Sequence, residues 1–208
     1  YGSREAAEMA GRWMALIERR AYLASSALAA EKGPFPLFDA ERYLESASIA
    51  RLDEDVRAAI SRDGMRNALV TSIAPTGTIS LLAGNVSSGI EPIFSLAYRR
   101  RILLPDGGHE EEEVADYAYQ LFRDRFGPDS EPPDVFVTAQ TLRPKEHLVM
   151  QAALQAHVDS SISKTINVPR ETSFDDFKDL YLTAYDLGLK GCTTYRPNET
   201  TGAVLKLS

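Results

Sequence analysis

The residues best suited to chemistry lie in one short turn that combines hydroxyl side chains with a glycine. Residues 73–80 read Ile-Ala-Pro-Thr-Gly-Thr-Ile-Ser, which predicts the passage from a buried strand into the start of a helix. A helix start carries N–H groups without helical partners and a partial positive charge, and a glycine lets a ligand approach the backbone closely. The turn therefore predicts an anion site suited to a phosphate. The candidate phosphate-binding residues are Pro75, Thr76, Gly77, Thr78, Ile79 and Ser80.

Taken alone, this motif admits two interpretations. It lacks the Gly-Lys-Ser/Thr of a P-loop and the second and third glycines of a dinucleotide-binding fingerprint. The same residues also fit an ordinary helix start that binds nothing. The formal net charge of -7 gives the chain no general attraction for nucleic acid or an anionic membrane, so any phosphate must be bound locally.

A second candidate segment follows the predicted helix. Residues 88–92 read Ser-Gly-Ile-Glu-Pro. One interpretation is a loop in which Gly89 and Glu91 shape a substrate pocket. The alternative is a structural turn in which Glu91 accepts hydrogen bonds from backbone N–H groups. Both remain open at this point.

The composition excludes several classes of protein. With 44% hydrophobic and 25% charged residues, the 208-residue chain has the make-up of a globular protein. Its one cysteine, Cys192, rules out an intrachain disulfide, and three scattered histidines argue against a metal site. No apolar run reaches about 18 residues and no signal peptide is evident, so we expect a cytoplasmic protein without membrane contact.

Helical periodicity alternates with short apolar runs along the chain. This alternation predicts an α/β fold with mostly parallel strands over residues 66–208, preceded by a helical lead-in (1–65). Four strands cannot close a barrel alone, but they could be half of one whose other strands lie upstream. Helices are predicted over residues 4–31, 40–48, 54–63, 110–126, 144–158 and from 172 or 173 to 187, and strands over 67–73, 93–104, 161–168 and 190–195.

Five stretches, in fixed order, resemble the large chain of ribonucleotide reductases, and more specifically the adenosylcobalamin-dependent class. They are residues 31–38, 67–80, 87–94, 161–169 and 188–196. The class follows from two departures from the oxygen-dependent enzymes. Thr193 and Thr194 stand where those enzymes carry two adjacent tyrosines, and the phosphate loop is of Thr-Gly-Thr rather than Ser-Glu-Ser-Ser type.

The resemblance implies a fold and an activity. The fold is the C-terminal portion of a ten-stranded α/β barrel, and the activity is thiyl-radical conversion of ribonucleotides to 2′-deoxyribonucleotides with adenosylcobalamin as cofactor. In the family, the backbone amides of residues 76–79 and the hydroxyls of Thr76 and Thr78 hold the substrate phosphates. The radical and redox cysteines lie upstream of the matched region, so the chain by itself should be inactive, with Cys192 as a small buried hydrophobe.

The implied partners are a ribonucleoside di- or triphosphate, the remainder of the same polypeptide and an external thioredoxin-like dithiol, and a homodimer is compatible with the family. Two other hypotheses stay open. The chain could be a stand-alone nucleotide-phosphate module without redox activity, or a piece whose phosphate loop does not form without the missing strands.

Overall fold

The N-terminal third of the chain is helical. This computed structural model describes residues 1–84, 89–103 and 105–196. The first helices are α1 (Arg4–Lys32), α2 (Ala40–Glu45), α3 (Ala47–Ala50) and α4 (Glu54–Asp63). The helix predicted over residues 40–48 is divided at Ser46 into α2 and α3, and the helix predicted over 54–63 is confirmed as α4. The carboxylate of Asp39 accepts the N–H of Arg42 and caps α2, whereas Asp53 precedes α4 without capping it and pairs with Arg19.

The four N-terminal helices enclose a small apolar core. Its buried residues come from α1, α3, α4 and the segment after α4: Tyr22, Ile49, Val56, Ile60 and Met65. Full burial of each large side chain contributes about 1.5–3 kcal/mol. The core therefore fixes α1 against α4.

The rest of the chain mixes helices with short strands. The helices are α5 (Gly77–Leu82), α6 (Tyr117–Phe126), α7 (Pro144–Gln155) and α8 (Phe174–Asp186). The strands are β1 (Ala97–Leu103), β2 (His109–Ala115), β3 (Thr165–Asn167) and β4 (Thr193–Tyr195). Strands β3 and β4 are parallel, with Ile166 opposite Thr194, as expected for neighbouring strands of an α/β fold.

The parallel pair rests on a second buried core. Leu148 of α7 and Ile166 of β3 have no exposed surface, and Leu180 and Ala184 of α8 close the same cluster. Phe174, the first residue of α8, lies outside this cluster and is 77% exposed.

The predicted helix over residues 110–126 is wrong in its first half. Residues of β2 pair antiparallel with β1, and Arg99, Arg100 and Arg101 stand opposite Glu113, Glu112 and Glu111. The acidic run therefore forms a strand of the hairpin rather than a helix start. Helix α6 begins only after Asp116, whose carboxylate accepts the N–H of Tyr119. The expectation of mostly parallel strands is corrected by this hairpin.

The predicted strand over residues 67–73 is also absent as a regular strand. The N–H groups of Val70 and Thr71 donate to the carboxylate of Asp159, at 2.7 and 3.0 Å. Because a side chain takes these donors, a regular ladder does not form there. The segment still runs beside residues 159–163, since Ser160 and Ser163 donate to the carbonyls of Thr71 and Ile73.

In the described part of the chain, no helix is both long enough and apolar enough to cross a membrane.

Candidate functional site

The segment that leads into the candidate turn is fixed by Asp159. Besides the N–H groups of Val70 and Thr71, its carboxylate accepts the hydroxyl of Tyr22 at 2.5 Å. The hydroxyl of Thr71 returns the contact by accepting the N–H of Asp159 at 2.9 Å. Residues 70–73 are thus anchored to the chain just before β3, and the turn projects from the end of this anchored segment.

The turn itself is an exposed helix start. Thr76 precedes α5 with φ -127° and ψ 28°, and its side chain does not cap the helix. Within the described residues, no hydrogen bond occupies the N–H groups of Gly77, Thr78 and Ile79. All three residues are exposed, and Ile79 retains 67% of its surface. The arrangement offers outward-facing donors at the positive end of a short helix.

The space in front of Gly77 is open. A Cβ placed on this residue would have no neighbouring atom within 4 Å. The glycine is therefore not required by packing, and what it leaves free is access to the backbone. Ser80 differs from the preceding residues, because it is 5% exposed and its N–H donates to the carbonyl of Thr76 at 2.7 Å.

The segment with Gly89 and Glu91 lies against the residue that precedes the turn. An added Cβ on Gly89, which has φ 141°, would lie 3.6 Å from the carbonyl oxygen of Ala74 and 2.7 Å from Oε2 of Glu91. Oε1 of Glu91 accepts the N–H of Thr165 at 3.1 Å. Glu91 thus accepts a backbone hydrogen bond, as the structural interpretation expects, and it does so at the border of the candidate site.

Below this segment lies a buried polar cluster of Tyr1, His147 and Lys164. Lys164 is 2% exposed, and its Nζ lies 3.2 Å from Nδ1 of the fully buried His147. Burial lowers the pKa of Lys164 to about 8, against the opposing effect of the Glu91 charge. Burial and the Lys164 charge lower the pKa of His147 to about 4, so its ring is neutral at pH 7 and its Nδ1 can accept a hydrogen bond from the lysine ammonium.

Tyr1 joins this cluster to the 89–91 segment. Its hydroxyl donates to the carbonyl of Ile90 at 2.6 Å, and its ring lies beneath Nζ of Lys164 at 5.6 Å. Burial raises the pKa of this hydroxyl, which keeps it protonated as a donor. The sequence analysis does not single out these residues. The available signal is a lysine among the apolar residues of the predicted strand 161–168, a position where an unpaired charge is costly.

A second group of charges ties the helices together away from the turn. The buried carboxylate of Glu18 in α1 binds the guanidinium of Arg51 and lies 2.9 Å from Nδ1 of His157. This group joins α1 to the ends of α3 and α7. In the described ranges, no three His, Cys, Asp or Glu side chains lie close enough to hold a metal ion.

Cys192 lies at the edge of the core beneath β3. It is half-buried and packs against the cluster that includes Ile166. Burial raises the pKa of its thiol, which disfavours the thiolate and hence nucleophilic chemistry. Its surroundings are those of a packing residue.

Comparison with known proteins places these features in a wider context. Residues 1–195 match the family model "Ribonucleotide reductase, barrel domain". The chain is 37% identical to the vitamin B12-dependent ribonucleoside-diphosphate reductase of Mycobacterium tuberculosis (strain CDC 1551 / Oshkosh), over 99% of this chain and 30% of that protein. It is 35% identical to the enzyme of the same description in Thermoplasma acidophilum, over 99% of this chain and 27% of that protein.

A solved structure shows the same fold. The class Id ribonucleotide reductase alpha subunit of Actinobacillus ureae superposes with a TM-score of 0.66 and 22% identity, over 93% of this chain and 35% of that one. The mixed helices and strands described above therefore correspond to part of an α/β barrel. The chain spans less than a third of the length of the two curated relatives it matches here.

Proposed function

Because this chain belongs to the ribonucleotide reductase family as part of the barrel domain, we propose that it supplies the substrate-phosphate loop of a cobalamin-dependent ribonucleoside-diphosphate reductase. The observation that supports the proposal is the open helix start at residues 77–79, which are exposed and whose N–H groups make no hydrogen bond within the described residues. An acidic protein can hold a nucleotide diphosphate in this way without a lysine, since backbone donors and the helix charge act together.

In the proposed complex, the turn binds the phosphates and thereby orients the ribose. The amides of Gly77, Thr78 and Ile79 are the principal donors, and the hydroxyls of Thr76 and Thr78 add to them. Pro75 shapes the turn. Ser80 contributes least, because its N–H is already used within α5. Gly89 and Glu91 border the proposed pocket, because the space for a Cβ on Gly89 lies beside both the Glu91 carboxylate and the carbonyl of Ala74.

The radical chemistry belongs to other parts of the polypeptide in this proposal. Thiyl-radical reduction of the ribose requires a radical cysteine and a reducing pair, and Cys192 has the surroundings of a packing residue. We therefore propose that the catalytic cysteines lie upstream and that an external thioredoxin-like dithiol restores them. The isolated chain is expected to show no turnover.

We assign no corrin-binding residues within this chain. His147 is fully buried beside Lys164, and Nδ1 of His157 faces Glu18, so neither is presented as an open ligand. We derive no step through cobalamin in this chain, and we assign cofactor contact to the remainder of the polypeptide. A division into a helical lead-in (1–65) and a barrel segment (66–208), homodimer formation and a cytoplasmic location remain proposals of the same kind.

The substrate class follows from the relatives, whose descriptions specify ribonucleoside diphosphates. A triphosphate would extend further from the same donors. The alternative of a stand-alone phosphate-binding module is not favoured, because the match to the reductase barrel domain extends over residues 1–195. The third hypothesis, an unformed loop, is opposed by the anchoring of residues 70–73 through Asp159.

The test is the substitution Gly77→Val in the full-length reductase. The site has room for the side chain, so the fold should be retained while the branched group blocks the backbone donors. Loss of even one charge-assisted hydrogen bond, worth about 1.5–3 kcal/mol, predicts an increase in KM for the diphosphate of about tenfold or more. Steady-state kinetics and calorimetric titration of the diphosphate measure the effect.

Gly77→Ala is the matched control, because it adds one methyl group at the same position and should raise KM less than valine does. If Gly77→Val leaves both KM and nucleotide affinity unchanged, the turn is not part of the substrate site.

A further inference from the structure

The carboxylate of Asp159 holds two parts of the chain at once. Its Oδ2 accepts the N–H groups of Val70 and Thr71, at 2.7 and 3.0 Å. Its Oδ1 accepts the hydroxyl of Tyr22 at 2.5 Å. The two oxygens therefore have separate partners, because one binds the segment that leads into the turn and the other binds helix α1.

The loop that carries Asp159 is itself held by side chains. Nε2 of Gln155 donates to the carbonyls of Val158 and Ser160, at 2.9 and 3.0 Å. Nζ of Lys190 donates to the carbonyls of Val158 and Asp159, at 3.0 and 2.6 Å. Hydrogen bonds from an ammonium group are stronger than those between neutral groups. The carboxylate thus projects from a backbone that is fixed on both sides of it.

Val70 and Thr71 depend on this carboxylate. Within the described residues, Oδ2 of Asp159 is the only acceptor of their N–H groups, and Thr71 is 6% exposed. A backbone donor that lies away from water and lacks an acceptor is unfavourable. Without the carboxylate, residues 70–71 would therefore shift toward another acceptor or toward water.

The held segment continues directly into the turn (residues 76–79). Ile73 accepts the N–H of Ser163 at 3.1 Å through its carbonyl, and its side chain packs against the apolar cluster between α1 and α7. Only two residues separate Ile73 from the turn, and the second is Pro75, whose ring fixes φ. The position of the N–H groups in the turn therefore follows the position of residues 70–73 through the covalent chain.

We propose that Asp159 is a positioning residue of the substrate site: its Oδ2 takes the place of a strand partner for Val70 and Thr71, and so sets where the turn lies. This inference rests on the proposed function of the turn. It assigns to Asp159 an effect on substrate affinity without contact with the substrate.

The experiment compares Asp159→Leu with Asp159→Asn in the full-length reductase. Leucine retains the branched shape of the aspartate side chain and lacks both acceptor oxygens. Asparagine retains one oxygen for the two N–H groups, and its NH2 group can donate to the hydroxyl oxygen of Tyr22. Asp159→Leu should raise KM for the ribonucleoside diphosphate about fivefold, with kcat changed less than about twofold, whereas Asp159→Asn should stay within about twofold of the wild type in both constants.

Tyr22→Phe is the matched control, because it removes the donor to Oδ1 and leaves both N–H groups on Oδ2. Its free energy of unfolding should fall, while its KM stays within about twofold of the wild type. If Asp159 served stability alone, KM would follow the loss of stability in both variants. An unchanged KM in Asp159→Leu, or an equal rise of KM in Tyr22→Phe, overturns the positioning role.

A second variant covers the case in which Asp159→Leu does not fold. Asp159→Glu retains the charge and both acceptors but moves them by one methylene group, so the segment bound to them should move as well. Its KM should rise about threefold, and an unchanged KM overturns the proposal.

Gly77→Val separates this inference from the proposed function. If Gly77→Val raises KM and Asp159→Leu does not, the turn remains the phosphate site and the positioning role fails. If Gly77→Val has no effect on KM, the proposed function fails and this inference fails with it.

Discussion

The proposed phosphate turn (residues 76–79) and the region beneath β3 differ in how far their side chains are exposed. Residues 77–79 are exposed, whereas Leu148, Ile166 and His147 of the second region have no exposed surface. In the proposed function the turn leaves its donors unpaired for a phosphate, whereas the region beneath β3 supplies apolar packing. Substitutions can therefore test binding and stability separately.

The largest loss of stability is expected from Ile166→Ala. The side chain is fully buried between α7 and α8, and its removal leaves a cavity beneath the parallel strands. Such truncations cost about 2–5 kcal/mol. Chemical denaturation of the wild type and variant, followed by circular dichroism, measures the difference. A loss below about 1 kcal/mol would mean that the core relaxes around the missing atoms and does not support β3 as described.

An effect of intermediate size is expected from pH through His147. The pKa of His147 is about 4 in the folded protein, against an ordinary value of 6.5. Between pH 6.5 and pH 4 the ring is therefore protonated in the unfolded chain but neutral in the folded chain. Stability should fall as the pH drops from about 6.5 to about 4, and this contribution should then level off. The loss amounts to roughly 3 kcal/mol. Denaturation midpoints across this range measure it.

His147→Asn is the comparison for the pH series, because the amide keeps an acceptor for Lys164 but does not titrate. Between about pH 6.5 and pH 4, the free energy of unfolding of this variant should fall less than that of the wild type, whatever its absolute stability. Parallel pH profiles for the two proteins would show that other groups account for the acid sensitivity.

The smallest effect on stability is expected at the turn itself. Gly77→Val introduces a side chain into open space, so the free energy of unfolding should change by less than about 0.5 kcal/mol. The same substitution should produce the large increase in KM described above. If Gly77→Val is strongly destabilised, the turn contributes to packing and does not differ from the region beneath β3 in the way described. Denaturation in the absence of nucleotide is the required measurement.

Local patterns in the sequence predict the helices well, because caps and periodicity are encoded by neighbouring residues. The predicted start of α1 at residue 4 and that of α7 at residue 144 are both confirmed, and α1 ends one residue beyond its predicted end. The family resemblance also predicts the barrel fold. The hairpin escapes prediction because the run of glutamates is compatible with a helix start, and only its pairing with the arginines of β1 decides between the two.

The site is predictable only in part for the same reason. The composition of the turn indicates its donors, but their exposure depends on which elements leave the space open. The buried polar cluster joins Lys164, His147 and Tyr1, which are 17 to more than 100 residues apart in the sequence. No local sequence pattern predicts that they are in contact. Contacts over such distances become visible only when the fold brings the residues together.

The carboxylate of Asp159 has a consequence for the order of assembly. It binds Val70, Thr71 and Tyr22, which lie 88 to 137 residues earlier in the chain. Closing loops of this length is slow and costly in chain entropy. During synthesis, residues 70–73 cannot acquire this anchor until residue 159 has left the ribosome. The turn is thus synthesised early but is anchored only after residue 159 has been made. Nascent chains that stop before residue 159 should lack the native geometry of residues 70–73 and of the turn.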